Sequence, residues 1–168
     1  MLTSHIQVLQ QAINVVSNIT SEDFKSVIHP HMKGSIGQHL RHVIDHYIAL
    51  ENGYADGLID YDQRNRDANI EISVNAAKET ICSIQTWLAR LTDTDLGMSV
   101  KVRSGMSLPD KSIADYSSTL AREIIFVSSH AVHHFSFIAI IRSLQGYPVP
   151  EFFGYAPATI TYLTERCG

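Results

Sequence analysis

The sequence predicts an all-α protein, a four-helix bundle with a small extended insertion before its last long helix. Three observations lead to this prediction: four segments with helical spacing of apolar residues, a hydrophobic fraction of 45%, and only 2 cysteines and 5 prolines. A chain of 168 residues is long enough to bury a full core. Since neither an internal repeat nor a change of composition divides it, we expect residues 1–168 to form one domain.

The first two predicted helices begin at short polar residues, which cap helix N-termini well. Thr3 or Ser4 can cap the first helix, whose apolar residues recur at steps of three and four and end near Asn18. After a loop, Ser35 is the candidate N-cap of a second helix that runs from Ile36 to Tyr54. Both helices are expected to contribute one apolar face to the core.

A third helix and a hairpin are predicted in the middle of the chain. Residues 58–73 mix both charge signs with few large apolar side chains, and we interpret the part around Tyr61 as a solvated loop rather than a partner-binding surface. Helical spacing then returns from Val74 to Leu91. Beyond it, MSVKVRS and KSIADYS alternate apolar and polar residues, as the two strands of a covering hairpin do.

The last long helix is predicted to start after a cap at Ser117 or Ser118 and to end near Leu144, with a short helix after Pro157. Between Glu123 and Arg142 it carries no formally charged residue, which is nearly the length of a membrane span. Several polar side chains interrupt this stretch, and they would be costly in hydrocarbon. They are Ser128, Ser129, His130, His133, His134 and Ser136. We therefore expect a buried helix and no membrane partner.

Charge and cysteine usage narrow the function classes. The 13 Lys and Arg residues against 17 Asp and Glu residues give a net charge of −4, which provides no basic footprint for nucleic acid. Cys82 and Cys167 stand far apart in no CxxC arrangement and are interpreted as reduced thiols. The N-terminal segment has no basic stretch followed by an apolar run. We expect a cytoplasmic protein.

Histidines are unusually grouped, because six of the nine lie in two predicted helices. His130 and His134 are four residues apart, so both lie on one helix face and can reach one metal ion. The second helix carries further imidazoles within an arc of about 60°. These are His39, His42 and His46. The remaining three are interpreted as surface residues: His5, His29 and His31.

Two helices that each offer imidazoles on one side can build a three-histidine metal site. Such a site keeps coordination positions open, as catalytic metal sites do, whereas structural zinc is closed by four protein ligands. The alternative is a set of core histidines bonded to carbonyls or hydroxyls, and the second cluster favours the metal. A helical wheel of the second predicted helix places His39 and His46 nearer its apolar stripe than His42. The pattern therefore does not decide which histidine of this helix is the ligand.

The segment SIGQHLRHVIDH, with Ser35 and His42 seven positions apart, and the late HxxxH of His130 and His134 together resemble the DinB-like (DinB/YfiT) superfamily of metalloenzymes. The resemblance implies an up-down-down-up four-helix bundle that is often dimeric. It further implies that His42, His130 and His134 bind a divalent metal, namely zinc, nickel or iron. Three extra histidines depart from the minimal pattern and are rival ligands: His39, His46 and His133.

A metal centre of this kind supports two enzymatic hypotheses on a small-molecule substrate. The first is metal-assisted hydrolysis, with Glu123, Asp45 or His46 moving protons. The second is thiol-dependent transfer, because some DinB-like relatives use low-molecular-weight thiols. A non-catalytic metal-binding or interaction bundle is the alternative to both. A ferritin-like di-iron site is disfavoured, because its carboxylate ligands are missing.

Overall fold

Helices account for most of the described residues, and the computed structural model describes residues 2–63, 67–105 and 113–166. In chain order the elements are α1 Leu2–Val16, α2 Ser21–Lys25, α3 Ile36–Asp56, β1 Leu58–Asp60, α4 Ala68–Ile72, α5 Val74–Arg90, α6 Asp93–Leu96, β2 Ser99–Gly105, β3 Ile113–Thr119, α7 Leu120–Leu144 and α8 Pro157–Arg166. The predominance of helix agrees with the predicted class.

The long helices bury their apolar faces against one another. Helix α3 packs on both α5 and α7, and α1 packs on the same two helices from the other side. Fully buried side chains from each helix meet in one core, among them Leu9, Leu40, Ile81 and Phe135. Because α3 and α7 lie side by side, their histidine-bearing segments face each other.

Helix α3 begins at Ile36, as predicted, and ends at Asp56, two residues beyond the predicted Tyr54. The Ser35 side chain accepts a hydrogen bond from the Gln38 backbone N–H, and the Gln38 side chain in turn accepts one from the Ser35 backbone N–H. This capping box satisfies two donors of the first turn. At the other end Gly57 adopts a left-handed φ of 68°, the conformation that closes helices at glycine.

Two predicted caps are wrong. Thr3 and Ser4 lie inside α1, which already begins at Leu2. Helix α7 is capped by Thr119, whose side chain accepts from the Arg122 N–H, and not by Ser117 or Ser118. The reason is that β3 extends to Thr119, which pairs with Ser99, so the serines that could cap belong to the strand.

The predicted hairpin is present as antiparallel β2 and β3, and its turn lies outside the described residues. A third strand was not predicted: β1 pairs in parallel with β2, giving the order β1-β2-β3. Strand β1 has three residues, of which Ile59 is fully buried. A run this short shows no clear alternation in sequence. The expected loop over residues 58–73 therefore contains both this strand and α4.

One helix of the described residues, α7, is long and apolar enough to cross a membrane by length and composition. In the fold it is a core helix that contacts α1 and α3, with Ile124, Ala131 and Phe135 fully buried.

Candidate metal centre

His42 of α3 and His130 of α7 face each other across the helix interface. Their Nε2 atoms are 2.9 Å apart, and the two rings cross edge to face with centroids at 5.0 Å. Two nitrogens at this distance share one proton, because a lone pair must face an N–H. A pair of imidazole nitrogens converging on one point is also the arrangement from which a metal ion can be ligated.

His46, one turn beyond His42 on α3, lies against the same pair. Its ring centroid is 4.5 Å from that of His42 and 4.4 Å from that of His130, and the residue is buried. One ligand nitrogen each from His42, His46 and His130 lies within 4.8 Å of the others. These three side chains form the group that the structure presents for a metal ion.

The hydrogen bond of His46 fixes which of its nitrogens can be a ligand. Its Nδ1 lies 2.9 Å from the backbone carbonyl oxygen of His42. Since a carbonyl oxygen only accepts, Nδ1 carries the proton and donates it, and Nε2 keeps its lone pair. A ring N–H held by a backbone carbonyl is the usual way in which proteins orient a metal-binding histidine.

His134 lies on the opposite flank of the same pair. Its ring centroid is 4.5 Å from that of His42 and 4.6 Å from that of His130. Burial, followed by the charges that His42 and His130 would carry, lowers its pKa to about 3. His134 is therefore neutral at pH 7, and a neutral imidazole is the form that binds a metal.

The remaining predicted rivals lie further out. His39 Nδ1 is 3.0 Å from His134 Nδ1, and the His39 ring stacks on Phe137 with centroids at 5.1 Å. Its Nε2 is buried and has no hydrogen-bond partner among the described residues. His133 is exposed and touches Phe137 edge to face. His39 thus borders His134, whereas His133 lies against both His134 and, with centroids 6.4 Å apart, His130.

The donor set suits a divalent transition metal. Imidazole nitrogens bind zinc, nickel and iron alike, and the three rings bring one ligand nitrogen each to within 4.8 Å of the others. Burial, followed by the neighbouring imidazoles, disfavours the protonation of His134, whose pKa is lowered to about 3. The residues present fit the metal that the resemblance implies.

Glu123 does not face the histidines directly but reaches them through a tyrosine. The buried carboxylate accepts hydrogen bonds from the Tyr61 hydroxyl at 2.8 Å and from the Ser118 hydroxyl at 2.6 Å. The Tyr61 ring in turn stacks on His46, with centroids 5.4 Å apart and planes 22° apart. Asp45, the other predicted carboxylate, is buried on α3 next to His46.

Tyr61 is a site residue that was not predicted from the sequence. The predicted solvated loop around it is wrong for this residue. It is buried because β1 leads straight into it, and in an extended segment Ile59 and Tyr61 point to the same side. Burial, with the neighbouring Glu123 charge, raises the pKa of its phenol, which keeps the proton that it donates. In the sequence, the spacing of two residues between Ile59 and Tyr61 was the available indication that both side chains are buried on one side.

A cleft of about 280 Å³ lies beside the Tyr61–Glu123 pair. Phe126 separates it from the histidines, because its ring lines the cleft and also stacks on His130 with centroids at 6.0 Å. The Arg122 guanidinium lies over the same phenyl ring at 5.4 Å. The cleft therefore has one cationic side chain at its edge and hydroxyl groups from β3 along its wall.

His5 differs from its interpretation as a surface residue. It is half-buried, and its Nδ1 is 2.7 Å from the Ser128 hydroxyl on α7. His29 and His31 are exposed.

The fold and this site define a helical protein with a DinB-like fold and a three-histidine group at metal-binding distance. Among solved structures the chain is similar to a DinB-like protein, YjoA, from Bacillus subtilis, with a TM-score of 0.61. The similarity covers 92% of this chain and 99% of that one, at 13% sequence identity, and so concerns the fold alone.

Comparisons of sequence add one partial match. No family model matches the chain. A curated relative, FK506-binding protein 5 from Rhizopus delemar, is 29% identical over 109 residues, which are 65% of this chain. The match spans only 28% of that protein's length.

Proposed function

We propose that this protein is a divalent-metal-dependent enzyme that acts on a small molecule. The observation that carries the proposal is the group of His42, His46 and His130, whose ligand nitrogens lie within 4.8 Å of one another. His42 and His130 belong both to this group and to the set implied by the DinB-like resemblance. The third ligand is His46 or His134, which flank the pair at nearly equal ring distances.

The reaction that these residues support best is metal-assisted hydrolysis. When bound, a divalent ion held by neutral imidazoles supplies a positive centre that polarises a substrate oxygen or sulfur and makes water more acidic. If His134 is the third ligand, His46 remains available to accept or return a proton. Asp45 is the other candidate proton carrier, from its buried position on α3.

Tyr61 and Glu123 orient the site from one side. Because the carboxylate accepts a hydrogen bond from the Tyr61 hydroxyl, the ring is held against His46 and fixes the imidazole plane. We therefore assign Glu123 a positioning role through Tyr61, which replaces direct proton transfer as its proposed contribution. The adjoining cleft would take the part of the substrate that extends past Phe126 from the histidines. Arg122 lies at its edge, where its Nη1 also contacts Glu123 Oε1 at 3.4 Å, and would favour a molecule that carries a negative group.

Thiol-dependent transfer is the second candidate reaction. It rests on the DinB-like resemblance and on the cation at the edge of the cleft, since low-molecular-weight thiols commonly carry a carboxylate that Arg122 could bind. A metal-binding bundle without catalysis is the alternative to both reactions.

We further infer the architecture and setting that accompany this function. The four long helices are proposed to form one up-down-down-up four-helix-bundle domain over residues 1–168, and the protein is proposed to be a cytoplasmic homodimer. A small-molecule substrate is the proposed partner, with neither nucleic acid nor membrane involved.

Metal content tests the first half of the proposal. Protein purified without chelator or added metal should hold about one zinc, nickel or iron per chain by elemental analysis. His46→Ala and His134→Ala should be compared side by side, because only the variant that lacks a ligand should lose the metal. Metal-free wild type that takes up none of the three added ions would overturn the proposal.

Activity tests the second half. Metal-loaded protein should hydrolyse ester or amide model substrates that carry a carboxylate, and the chelated protein should not. Activity that requires an added thiol would replace hydrolysis by thiol transfer. Stoichiometric metal without either activity on a broad substrate panel would support the non-catalytic alternative.

A further inference from the structure

A second cavity lies on the side of α7 that faces away from the histidine group. It has a volume of about 660 Å³, within the range of small-molecule sites. Its walls are α1, α7 and the segment that leads into α8, including Gly154 and Pro157. None of the functional residues proposed above except the peripheral His133 takes part in it.

The tail that closes the cavity is firmly placed on α7. The Ser136 hydroxyl donates a hydrogen bond to the Gly154 carbonyl at 2.6 Å. Gly154 has a φ of 81°, and a Cβ at this position would lie 2.7 Å from the Ser136 backbone nitrogen. This close approach is available only to glycine.

The lining is uncharged. Among the described residues around this cavity, none is Lys, Arg, Asp or Glu. Its walls carry Val8, Ile125 and Val132, and neutral polar groups such as Ser4 and Gln11 stand between them. A charged ligand would lose its hydration here without gaining an opposite charge, so the lining selects neutral molecules.

A hydrogen-bonded chain supplies one polar anchor in this lining. His5 Nδ1 is 2.7 Å from the Ser128 hydroxyl, which is 2.9 Å from the Tyr47 hydroxyl. Tyr47 is fully buried, whereas His5 is half-buried and lines the cavity together with Ser128. Burial lowers the pKa of His5, so its imidazole is neutral at pH 7 and does not alter the uncharged character of the wall.

We propose that this cavity binds an uncharged, largely apolar small molecule that hydrogen-bonds the His5–Ser128 pair through a hydroxyl or carbonyl group. The apolar walls supply most of the affinity by burial, and the pair fixes the orientation of the ligand. The site is independent of the proposed metal chemistry, because it lies on the opposite face of α7 and none of the residues that line it belongs to α3.

Two fluorescent probes with one skeleton test the selection against charge. N-phenyl-1-naphthylamine is neutral, and 8-anilino-1-naphthalenesulfonate is the same skeleton with a sulfonate. The full-length protein should bind the neutral probe saturably with one site per chain and at least about tenfold more tightly than the sulfonate, equivalent to about 1.4 kcal/mol. Equal affinity for both probes would overturn the proposal.

Matched serine-to-tryptophan variants locate the bound probe. Ser129 is exposed and lines the cavity, so Ser129→Trp should fill it and weaken the neutral probe about tenfold. Ser143 is also exposed on α7 but lines a separate apolar groove with Ile140 and Leu163, so Ser143→Trp should leave the affinity unchanged. The reverse pattern would place the probe in that groove and contradict the assignment. If the wild type binds no probe and is a dimer by sedimentation, and Ser129→Trp is a monomer, a second copy of the chain covers this face. That result would overturn the proposal.

A competition experiment tests the polar anchor. Naphthol should displace the neutral probe about fivefold better than naphthalene, since one hydrogen bond contributes on the order of 1 kcal/mol. His5→Phe keeps a ring of similar shape but removes the nitrogen, and the advantage of naphthol should vanish in it. An undiminished advantage in His5→Phe would exclude the His5–Ser128 pair as the anchor.

Discussion

The two faces of α7 both carry histidine contacts to a neighbouring helix, but they satisfy the imidazoles in different ways. Toward α3, His130 meets His42 nitrogen to nitrogen at 2.9 Å, with His46 and His134 on either side. Toward α1, Ser128 meets His5 through a hydroxyl that also bonds Tyr47. The face toward α3 brings several imidazoles together, whereas the face toward α1 pairs one imidazole with hydroxyl groups.

The kind of partner indicates which buried histidines could ligate a metal ion. A hydroxyl both donates and accepts, so Ser128 can pair with His5 and Tyr47 without a metal ion. On the other face only imidazoles meet, and three of their nitrogens lie close enough to one another to ligate a single metal ion. The identity of the partner, and not the presence of histidine, separates the proposed metal centre from an ordinary core contact.

Removing imidazoles from each face should give the largest difference between the two. His42→Ala with His130→Ala should reduce the metal content from about one ion per chain to almost none, because the shared pair of ligands is lost. His5→Ala should leave the metal content unchanged. Elemental analysis of the three proteins, with circular dichroism as the check on helix content, makes the measurement. Equal metal in the double variant and wild type would disprove the role assigned to the α3–α7 face.

The second face depends on the close packing of the tail, and Gly154→Ala should damage it most. The added Cβ would meet the Ser136 backbone at 2.7 Å in a left-handed conformation, so we expect a loss of about 3 kcal/mol in the free energy of unfolding. Gly146 has a similar φ of 82° but nothing within 4 Å of its Cβ. Gly146→Ala should therefore cost only about 1 kcal/mol. Urea denaturation of both variants separates crowding from backbone strain, and equal losses would refute the packing argument.

The hydrogen-bonded chain gives the next largest effect. Ser128→Ala leaves the Tyr47 hydroxyl, which is fully buried, without the partner that it has in wild type. An orphaned buried hydroxyl costs about 2 kcal/mol. Ser129→Ala is the matched control at an exposed position of the same helix and should change stability by less than about 0.5 kcal/mol. A Ser128→Ala protein as stable as this control would mean that the chain contributes nothing to folding.

Much of the fold was predictable because caps and apolar spacing within each segment are enough to identify its long helices. Ser35, Gly57 and the apolar spacing between them define α3 within two residues of its observed end. Strand β1 was not predictable, since three residues show no periodicity and its partner β2 lies some forty positions away. The cap of α7 was misplaced because three hydroxyl residues follow one another, and only the strand register distinguishes Thr119 from the serines.

The site was predictable as a cluster but not as a ligand set. A helical wheel gives the direction of each residue around its axis, and this brought six histidines to one interface. It does not give side-chain rotamers or axial offset between helices, which decide whether His46 or His134 completes the pair of His42 and His130. Tyr61 and its link to Glu123 depended on β1, so an error in the fold became an omission in the site.

Acid sensitivity of the metal-free protein distinguishes the two faces most finely. The folded pKa of His134 is about 3, below its ordinary value of 6.5, so the unfolded chain binds a proton between these limits and the folded chain does not. The contribution of this shift to the free energy of unfolding is therefore fully present above pH 6.5, and it is lost as the pH decreases toward 3. Because the ring is only partly buried, we expect His134 to account for a loss on the order of 1 kcal/mol between pH 7 and 5.

Burial also lowers the pKa of His5, but without crowding by other imidazoles. His134→Gln should thus remove more of the acid sensitivity than His5→Gln in chelator-treated protein, as urea midpoints at pH 7 and 5 would show. If the two variants flatten the pH dependence equally, burial alone and not imidazole crowding sets the character of the α3–α7 face.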